Sequence, residues 1–307
     1  MTKNGKSIIL GGVAVLSWAT VATAFKIALM HLSVFCMLLI ATVTSFVFYT
    51  VMMVVEKKWT KLRALPKDIV VKTALLGILN PVVYYLVLFQ AYDLLPAQMA
   101  QPLNYAWPIF LLVFLAVFNH DKIPVKKYIG MLISVCGVVC ISLGGGGVEG
   151  HVSVSGVLLA LFSAVLWAAY WMLNNRLSRQ VDATMALFLE FFAGSVVLGV
   201  IGCFIGVEID SLEGLLSGIY IGLFEMGIPF LTFGMALRIT TNPALINQMC
   251  YLSPFLSLFL IAMVLGETIA LGTCVGLVLI VIGLIYNQYF VKDHREVEVA
   301  NESNMGD

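Results

Sequence analysis

Residues 97–118 read AQMAQPLNYAWPIFLLVFLAVF, and residues 243–264 read PALINQMCYLSPFLSLFLIAMV. Neither stretch holds a charged side chain. Each is long enough, at about 1.5 Å per helical residue, to cross a hydrocarbon layer of about 30 Å. They also share a register: at a shift of 146 residues Tyr105 meets Tyr251 and Pro108 meets Pro254. The same shift pairs Asp121 with Glu267, Gly130 with Gly276 and Gly137 with Gly283, and a slightly larger one pairs Trp18 with Trp167. An apolar span that returns in the second half of the chain points to a polytopic membrane protein made of two copies of one unit.

Reading outward from these two stretches, apolar segments of spanning length fall at about 8–30, 33–55, 69–91, 97–118, 128–145, 156–173, 183–205, 215–237, 243–264 and 271–290. Ten spans are expected. Composition agrees: the chain is 61% hydrophobic and only 11% charged, with a mean hydropathy of +1.01. That excludes a disordered chain, a nucleic-acid-binding surface and an ordinary soluble enzyme. Lys+Arg and Asp+Glu are equal at 17 each, so net charge names no partner. The runs lack the apolar/polar alternation of membrane strands, and backbone groups in lipid must bond internally, so the spans are read as helices.

Basic residues set the orientation. With a cytoplasmic N-terminus, the inside segments hold Lys3, Lys6, the cluster from Lys57 to Lys67, Lys122, Lys126, Lys127, Arg176, Arg179, Arg238, Lys292 and Arg295. The outside connectors hold Glu149, Glu208, Asp210 and Glu213 instead, while Lys26 and Lys72 lie within spans. Both termini are therefore expected in the cytoplasm, which requires an even number of spans. Lys3 and Lys6 before an apolar run, with Ala22-Thr-Ala24, imitate a signal peptide; we expect that segment to stay as the first span, because removing it leaves nine. The organisation read from this is a first five-helix unit over 1–145, a Gly-rich external linker over 146–155, a second five-helix unit over 156–290 and a cytoplasmic tail over 291–307. Five is odd, so the second unit enters from the opposite side. Inverted repeats with a site near the midplane mark secondary transporters.

Polar residues at membrane depth need a reason. Glu225 sits near the middle of the eighth span, just before Gly227 and Pro229, and falls opposite Asn80-Pro81 in the repeat. Glu225 serves coupling or structure, the structural reading being a neutral carboxyl hydrogen-bonded to a freed carbonyl. Glu190 lies about two turns into the seventh span, placed either to pair with a neighbouring helix or to line a cytoplasmic vestibule. Pro81, Pro108, Pro229 and Pro254 are read as helix breaks. Gln98, Gln101, Asn104, Tyr105 and Pro108 recur at helical spacing and form one polar stripe, echoed by Asn247 and Tyr251 with Gln248 adjacent. Such amides line a cavity for a zwitterion or glue helices together. Trp167, Tyr170 and Trp171 share a helix face, with Trp18 as counterpart; aromatic faces stack on rings or hold an ammonium, or simply pack. Lys26 is placed either to meet a carboxylate or to snorkel.

No catalytic residue, metal set or cofactor signature is read. HExxH, GxSG and P-loop patterns are absent, and the six cysteines (Cys36, Cys136, Cys140, Cys203, Cys250, Cys274) form no CxxC and are read as packing residues. Asn80-Pro81-Val82 and Asn242-Pro243-Ala244 imitate aquaporin motifs but do not occupy equivalent repeat positions.

With ten spans in two inverted halves, the Trp18–Lys26 stretch, Gly266-Glu267 and the Gly276/Gly283 spacing, the chain resembles the EamA branch of the drug/metabolite transporter superfamily over its length to about residue 290. Asn104-Tyr105-Ala106-Trp107-Pro108, Phe118-Asn119 and Trp167-Ala168-Ala169-Tyr170 with Asn175 are similar to the bacterial aromatic amino acid exporters of that branch. The basic residue that many members carry in the second span is missing; the chain reads Ile40-Ala41-Thr42-Val43 there. The resemblance implies a basket-like carrier, resident in a bacterial inner membrane, that moves amino acids or related metabolites outward. On this reading Gln101, Asn104, Tyr105, Asn247, Tyr251 and Lys26 meet the polar part of the solute and Trp107, Trp167, Tyr170 and Trp171 wall it, with Glu225 and Glu190 as intramembrane acids. The partners are a small-molecule substrate and the bilayer, with no nucleic acid; the sequence is silent on oligomeric state. A multidrug or nucleoside-type efflux carrier and a passive facilitator or channel are the competing readings.

Overall fold

The structure is a computed structural model, and it describes residues 3–118, 124–144, 152–178, 180–209, 211–240 and 243–289. Asp121, Asn119, the Gly145–Gly147 part of the glycine run and the tail from 291 lie outside the described residues.

Every regular element among the described residues is helical. In chain order they are α1 (Lys3–Leu29), α2 (Val34–Val55), the single turn α3 (Trp59–Arg63), α4 (Lys67–Gly77), α5 (Tyr84–Leu94), α6 (Ala97–Asn104), α7 (Trp107–Phe118), α8 (Val125–Gly144), α9 (Val154–Leu177), α10 (Ala183–Ile205), α11 (Leu212–Ile221), α12 (Ile228–Ile239), α13 (Pro243–Met249), α14 (Leu252–Leu260) and α15 (Leu271–Tyr289). Local chemistry sets several ends. Ser33, Ser153, Asp182 and Ser211 accept backbone N–H bonds at the starts of α2, α9, α10 and α11. Pro66 and Pro96 stand just before α4 and α6, and Gly206, with φ of 81°, ends α10 as side-chain-bearing residues rarely can.

Among the described residues, eight helical stretches are long and apolar enough to cross a membrane: 3–29, 34–55, 67–94, 97–118, 125–144, 154–177, 183–205 and 212–239. The ninth and tenth expected spans form shorter apolar helices, Leu252–Leu265 and Leu271–Asn287. Val43, Val47, Val51 and Val54 of α2 and Val196, Val200 and Phe204 of α10 point outward, an apolar belt that water would penalise and lipid accepts.

Among the described residues, four of the expected spans are interrupted near their middles, in two matched pairs. Between α4 and α5 the helix widens over Ile78–Val83, and Asn80 leaves helical geometry at φ −138°, ψ 116°. Between α11 and α12 it widens over Gly222–Gly227. The other pair separates α6 from α7 at Tyr105 and α13 from α14 at Tyr251, residues related by the 146-residue shift. Pro108, Pro229 and Pro254 each sit in the first turn after a break, where a missing N–H costs little, and Pro81 directly follows Asn80.

The two halves repeat each other's contacts. Glycines let α8 and α15 pack backbone to backbone: a Cβ on Gly137 would stand 2.5 Å from the Gly276 carbonyl oxygen, and one on Gly276 equally close to the Gly137 oxygen. Gly130 meets Gly283 in the same manner, so each pair is the other one shifted by 146 residues. Midway between them Ser134 donates to the carbonyl of Ile280, its own counterpart, at 3.2 Å. Elsewhere Gly77 abuts the Glu190 carbonyl, as Gly222 abuts that of Ala41.

Candidate functional site

Aromatic side chains gather where the broken helices meet. Trp167 of α9 stacks on Tyr84 at 4.6 Å, on Tyr170 at 5.4 Å and on Phe230 of α12 at 5.9 Å between ring centroids. Trp171 meets Trp167 edge-on at 6.0 Å and lies parallel to Trp107 of α7 at 6.4 Å. Trp18 of α1 closes the group against Phe230 and Phe233. These residues come from α1, α5, α7, α9 and α12. Trp18, Trp107, Trp167, Trp171, Phe230 and Phe233 are all only half-buried. The indole nitrogen of Trp171 is buried without a hydrogen-bond partner. Flat, partly open ring faces suit a planar or cationic guest.

Two carboxylates lie behind this wall. Glu225, 9% exposed, receives the Tyr85 hydroxyl on Oε1 at 3.1 Å, and its Oε2 has no partner. The indole N–H of Trp18 donates to the Glu225 backbone carbonyl at 3.3 Å, satisfying a group near the widened turn. Glu190, wholly buried, receives the Tyr170 hydroxyl on Oε2 at 2.9 Å. One aromatic residue thus touches both the ring wall and this acid.

The polar stripe divides into different jobs. Asn104 accepts from Tyr84 at 3.3 Å and donates to Ser163 at 2.8 Å, fastening α6 to α5 and α9. Gln98 donates to the Thr268 carbonyl and accepts from Ala270 N–H, both at 2.9 Å. Gln101, 5% exposed, keeps an amide oxygen with no partner. Tyr105 and Tyr251 are half-buried at their matching breaks, with Ser253 beside Tyr105. The Asn247 side chain lies outside the described residues.

Lys26 is committed elsewhere. Its ammonium donates to the carbonyls of Tyr92 at 2.8 Å and Leu95 at 3.1 Å, the exposed acceptors where α5 ends. Glu267 takes the complementary role, accepting the first N–H groups of α6 from Ala97 and Gln98 at 3.1 and 3.3 Å. With the Gln98 bonds, these contacts latch one end of the bundle. At another set of connectors Lys58 bonds Asp182 and Thr184 and pairs with Glu56, while Arg238 reaches Asp182 at 3.2 Å. Partial burial alone would raise the Asp182 carboxyl, but the Lys58 hydrogen bond and charge outweigh it and hold the group below its ordinary range. Burial pulls Lys58 down, and its bonds to Asp182 and Glu56 more than restore it, leaving it raised.

Sequence reasoning did not single out Tyr49, Tyr84, Tyr85, Ser163 or Phe230. Tyr84 and Tyr85 carried a signal, since they follow the Asn80-Pro81 break by one helical turn and so belong to the same depth. Among the described residues no group of three or more His, Cys, Asp or Glu side chains is placed to hold a metal ion.

A model described as "EamA-like transporter family" matches residues 5–143 and again 154–287, so the unit occurs twice. Relatives include the "Uncharacterized transporter YvbV" of Bacillus subtilis (strain 168), 29% identical over 67% of this chain and 67% of its own. Another is the "Uncharacterized inner membrane transporter YedA" of Escherichia coli (strain K12), 28% identical over 57% and 58%. A solved structure titled "Crystal structure of protein" shares the fold, with a TM-score of 0.63 at 22% identity, covering 91% of this chain and 95% of that one.

Proposed function

The chain belongs to the EamA-like transporter family and is a multi-pass membrane transporter rather than an enzyme, and from that premise we propose that it is a secondary-active carrier exporting amino acids, aromatic or otherwise zwitterionic, by alternating access. The proposed frame is ten spans in two inverted five-helix repeats, with both termini in the cytoplasm of a bacterial inner membrane. Support for inversion comes from the reciprocal glycine pairs of α8 and α15, and support for location from the inner-membrane relative.

The observation that carries the substrate class is the half-open ring wall of Trp167, Trp171 and Trp107, with one unspent acceptor, Glu225 Oε2, behind it. An aromatic ring slides between indoles, and an ammonium finds the carboxylate. The amino acid's own carboxylate would go to the Trp171 N–H, a buried donor without a partner; Lys26, already bonded to two carbonyls, is not needed for it. In the proposed orientation the Lys26, Gln98 and Glu267 latch closes the outer end, and Trp107, Phe230 and Phe233 lie on the half-helices α7 and α12 that run toward the cytoplasm. The conformation is then the one that loads from inside.

Cells expressing the protein should tolerate a toxic aromatic analogue such as p-fluorophenylalanine better than cells carrying an empty vector. Equal sensitivity at verified expression would remove aromatic amino acids as cargo. The same stacked rings favour a second reading, efflux of planar drugs or nucleosides, which such compounds would reveal in the same growth assay.

A further inference from the structure

The two widened breaks are built alike and closed differently. In each, a glycine meets the backbone carbonyl of a neighbouring helix: Gly222 that of Ala41, and Gly77 that of Glu190. Ala41 and Glu190 are thus equivalent positions, and the same shift of 149 residues pairs Ser45 with Gly194 and Tyr49 with Leu198. Around the second break Ser45 donates to the Gly222 carbonyl at 2.8 Å, and Tyr49 to those of Met226 and Gly227 at 2.8 and 3.0 Å. Around the first, those donors are replaced by a glycine and a leucine with no hydroxyl, and the alanine by a carboxylate.

What gathers at the first break is oxygen. Glu190 Oε1 is buried with no partner. Asn80, wholly buried, lies beside the Tyr170 hydroxyl with neither amide atom in hydrogen-bond geometry. Thr42, also wholly buried, has an unpartnered Oγ1. It belongs to the same place: a Cβ on Gly194, one turn from Glu190, would stand 3.4 Å from the Thr42 methyl and 2.8 Å from the Pro81 ring. Unpaired buried oxygens are costly, and a lone carboxylate at membrane depth more so. A small hard cation answers both costs at once, since its ligands of choice are oxygens and unwound helix segments are where transporters hold such ions. A single carboxylate balances a single positive charge.

We propose that Glu190, Asn80 and Thr42 form a binding site for a sodium ion at the α4–α5 break. Tyr170 joins it to the substrate wall, with its hydroxyl on Glu190 and its ring stacked on Trp167. A role for the ion in coupling rests on the carrier reading above; binding itself does not.

The test is therefore a binding measurement. Purified protein in detergent, at fixed pH and ionic strength, is titrated with sodium, potassium or choline chloride while tryptophan fluorescence is followed, Trp167 and Trp171 lying 5.4 and 6.1 Å from the Tyr170 ring. Sodium should give a saturable change that potassium and choline do not. Glu190→Gln should abolish it, and Thr42→Val, nearly isosteric, should weaken it about tenfold. Both variants should remain monodisperse in choline. No sodium-specific change in folded wild-type protein, an equal response to potassium, or a response surviving Glu190→Gln would overturn the site. A pH response in place of a sodium response would do the same and assign the carboxyl to a proton. Failure here alongside successful amino acid counterflow refutes the site and spares the carrier; sodium binding without counterflow does the reverse.

Discussion

Tyr85 of α5 donates its hydroxyl to Oε1 of Glu225, 140 residues further along the chain, at 3.1 Å. The bond ties the helix after the first break to the widened turn of the second, so the two halves meet through an acid whose other oxygen is unspent. A carrier that rocks its halves must remake such a contact in every cycle. Glu225→Gln keeps an acceptor for Tyr85 and removes the charge, so it should fold normally and transport at least about tenfold more slowly. Tyr85→Phe should slow transport less, because the carboxylate remains. Initial rates in proteoliposomes check both, and unchanged transport by Glu225→Gln would remove that carboxylate from the mechanism.

Trp167 is the hub of the ring wall. Trp167→Ala should raise the half-saturating concentration for phenylalanine about tenfold, as expected for about 1–1.5 kcal/mol of lost stacking. Threonine transport should change much less. Equal losses for the two substrates would mean that Trp167 supports the fold rather than the ring.

Where Gly137 of α8 crosses Gly276 of α15 there is no room for a side chain. A Cβ on Gly137 meets a backbone carbonyl that cannot swing aside, so Gly137→Val should destabilise the protein by about 2 kcal/mol. Gly234, whose added Cβ would meet nothing within 4 Å, is the control: Gly234→Ala should leave the melting temperature nearly unchanged. Thermal unfolding in detergent distinguishes the two.

The Lys58–Asp182–Arg238 contacts carry a pH signature. Asp182 is held below its ordinary 3.8, so its contribution is complete above that value and is lost only as pH falls through the lower, folded-state value. Lys58 is raised above 10.5, so its contribution is complete below that value and fades only as pH climbs through the still higher folded-state value. Neither titrates between pH 6 and 8, and Asp182→Asn should leave the shape of the transport–pH profile there unchanged. A flattened profile in that variant would contradict the assignment.

The helical class and the doubled unit are legible in the sequence because both rest on patterns the membrane enforces: long apolar runs, and glycines such as Gly137 and Gly276 that recur where backbones touch. The aromatic face is legible for a similar reason, since Trp167, Tyr170 and Trp171 share a helix side whatever they meet. Partners across helices are not. Helical spacing puts Gln98, Gln101 and Asn104 in one stripe, but only packing reveals that Gln98 bonds the 268–270 backbone and Asn104 is held by Tyr84 and Ser163. Lys26 likewise reads as a ligand or a snorkelling residue until the end of α5 is seen to lie under its ammonium.

The central claim is carriage of amino acids, and counterflow tests it most directly. Proteoliposomes preloaded with unlabelled phenylalanine receive a trace of labelled phenylalanine outside, beside empty liposomes and a set preloaded with threonine. The account predicts transient accumulation of label above equilibrium, stronger with phenylalanine inside than with threonine. Label that only equilibrates, or never enters, through folded and reconstituted protein would contradict it.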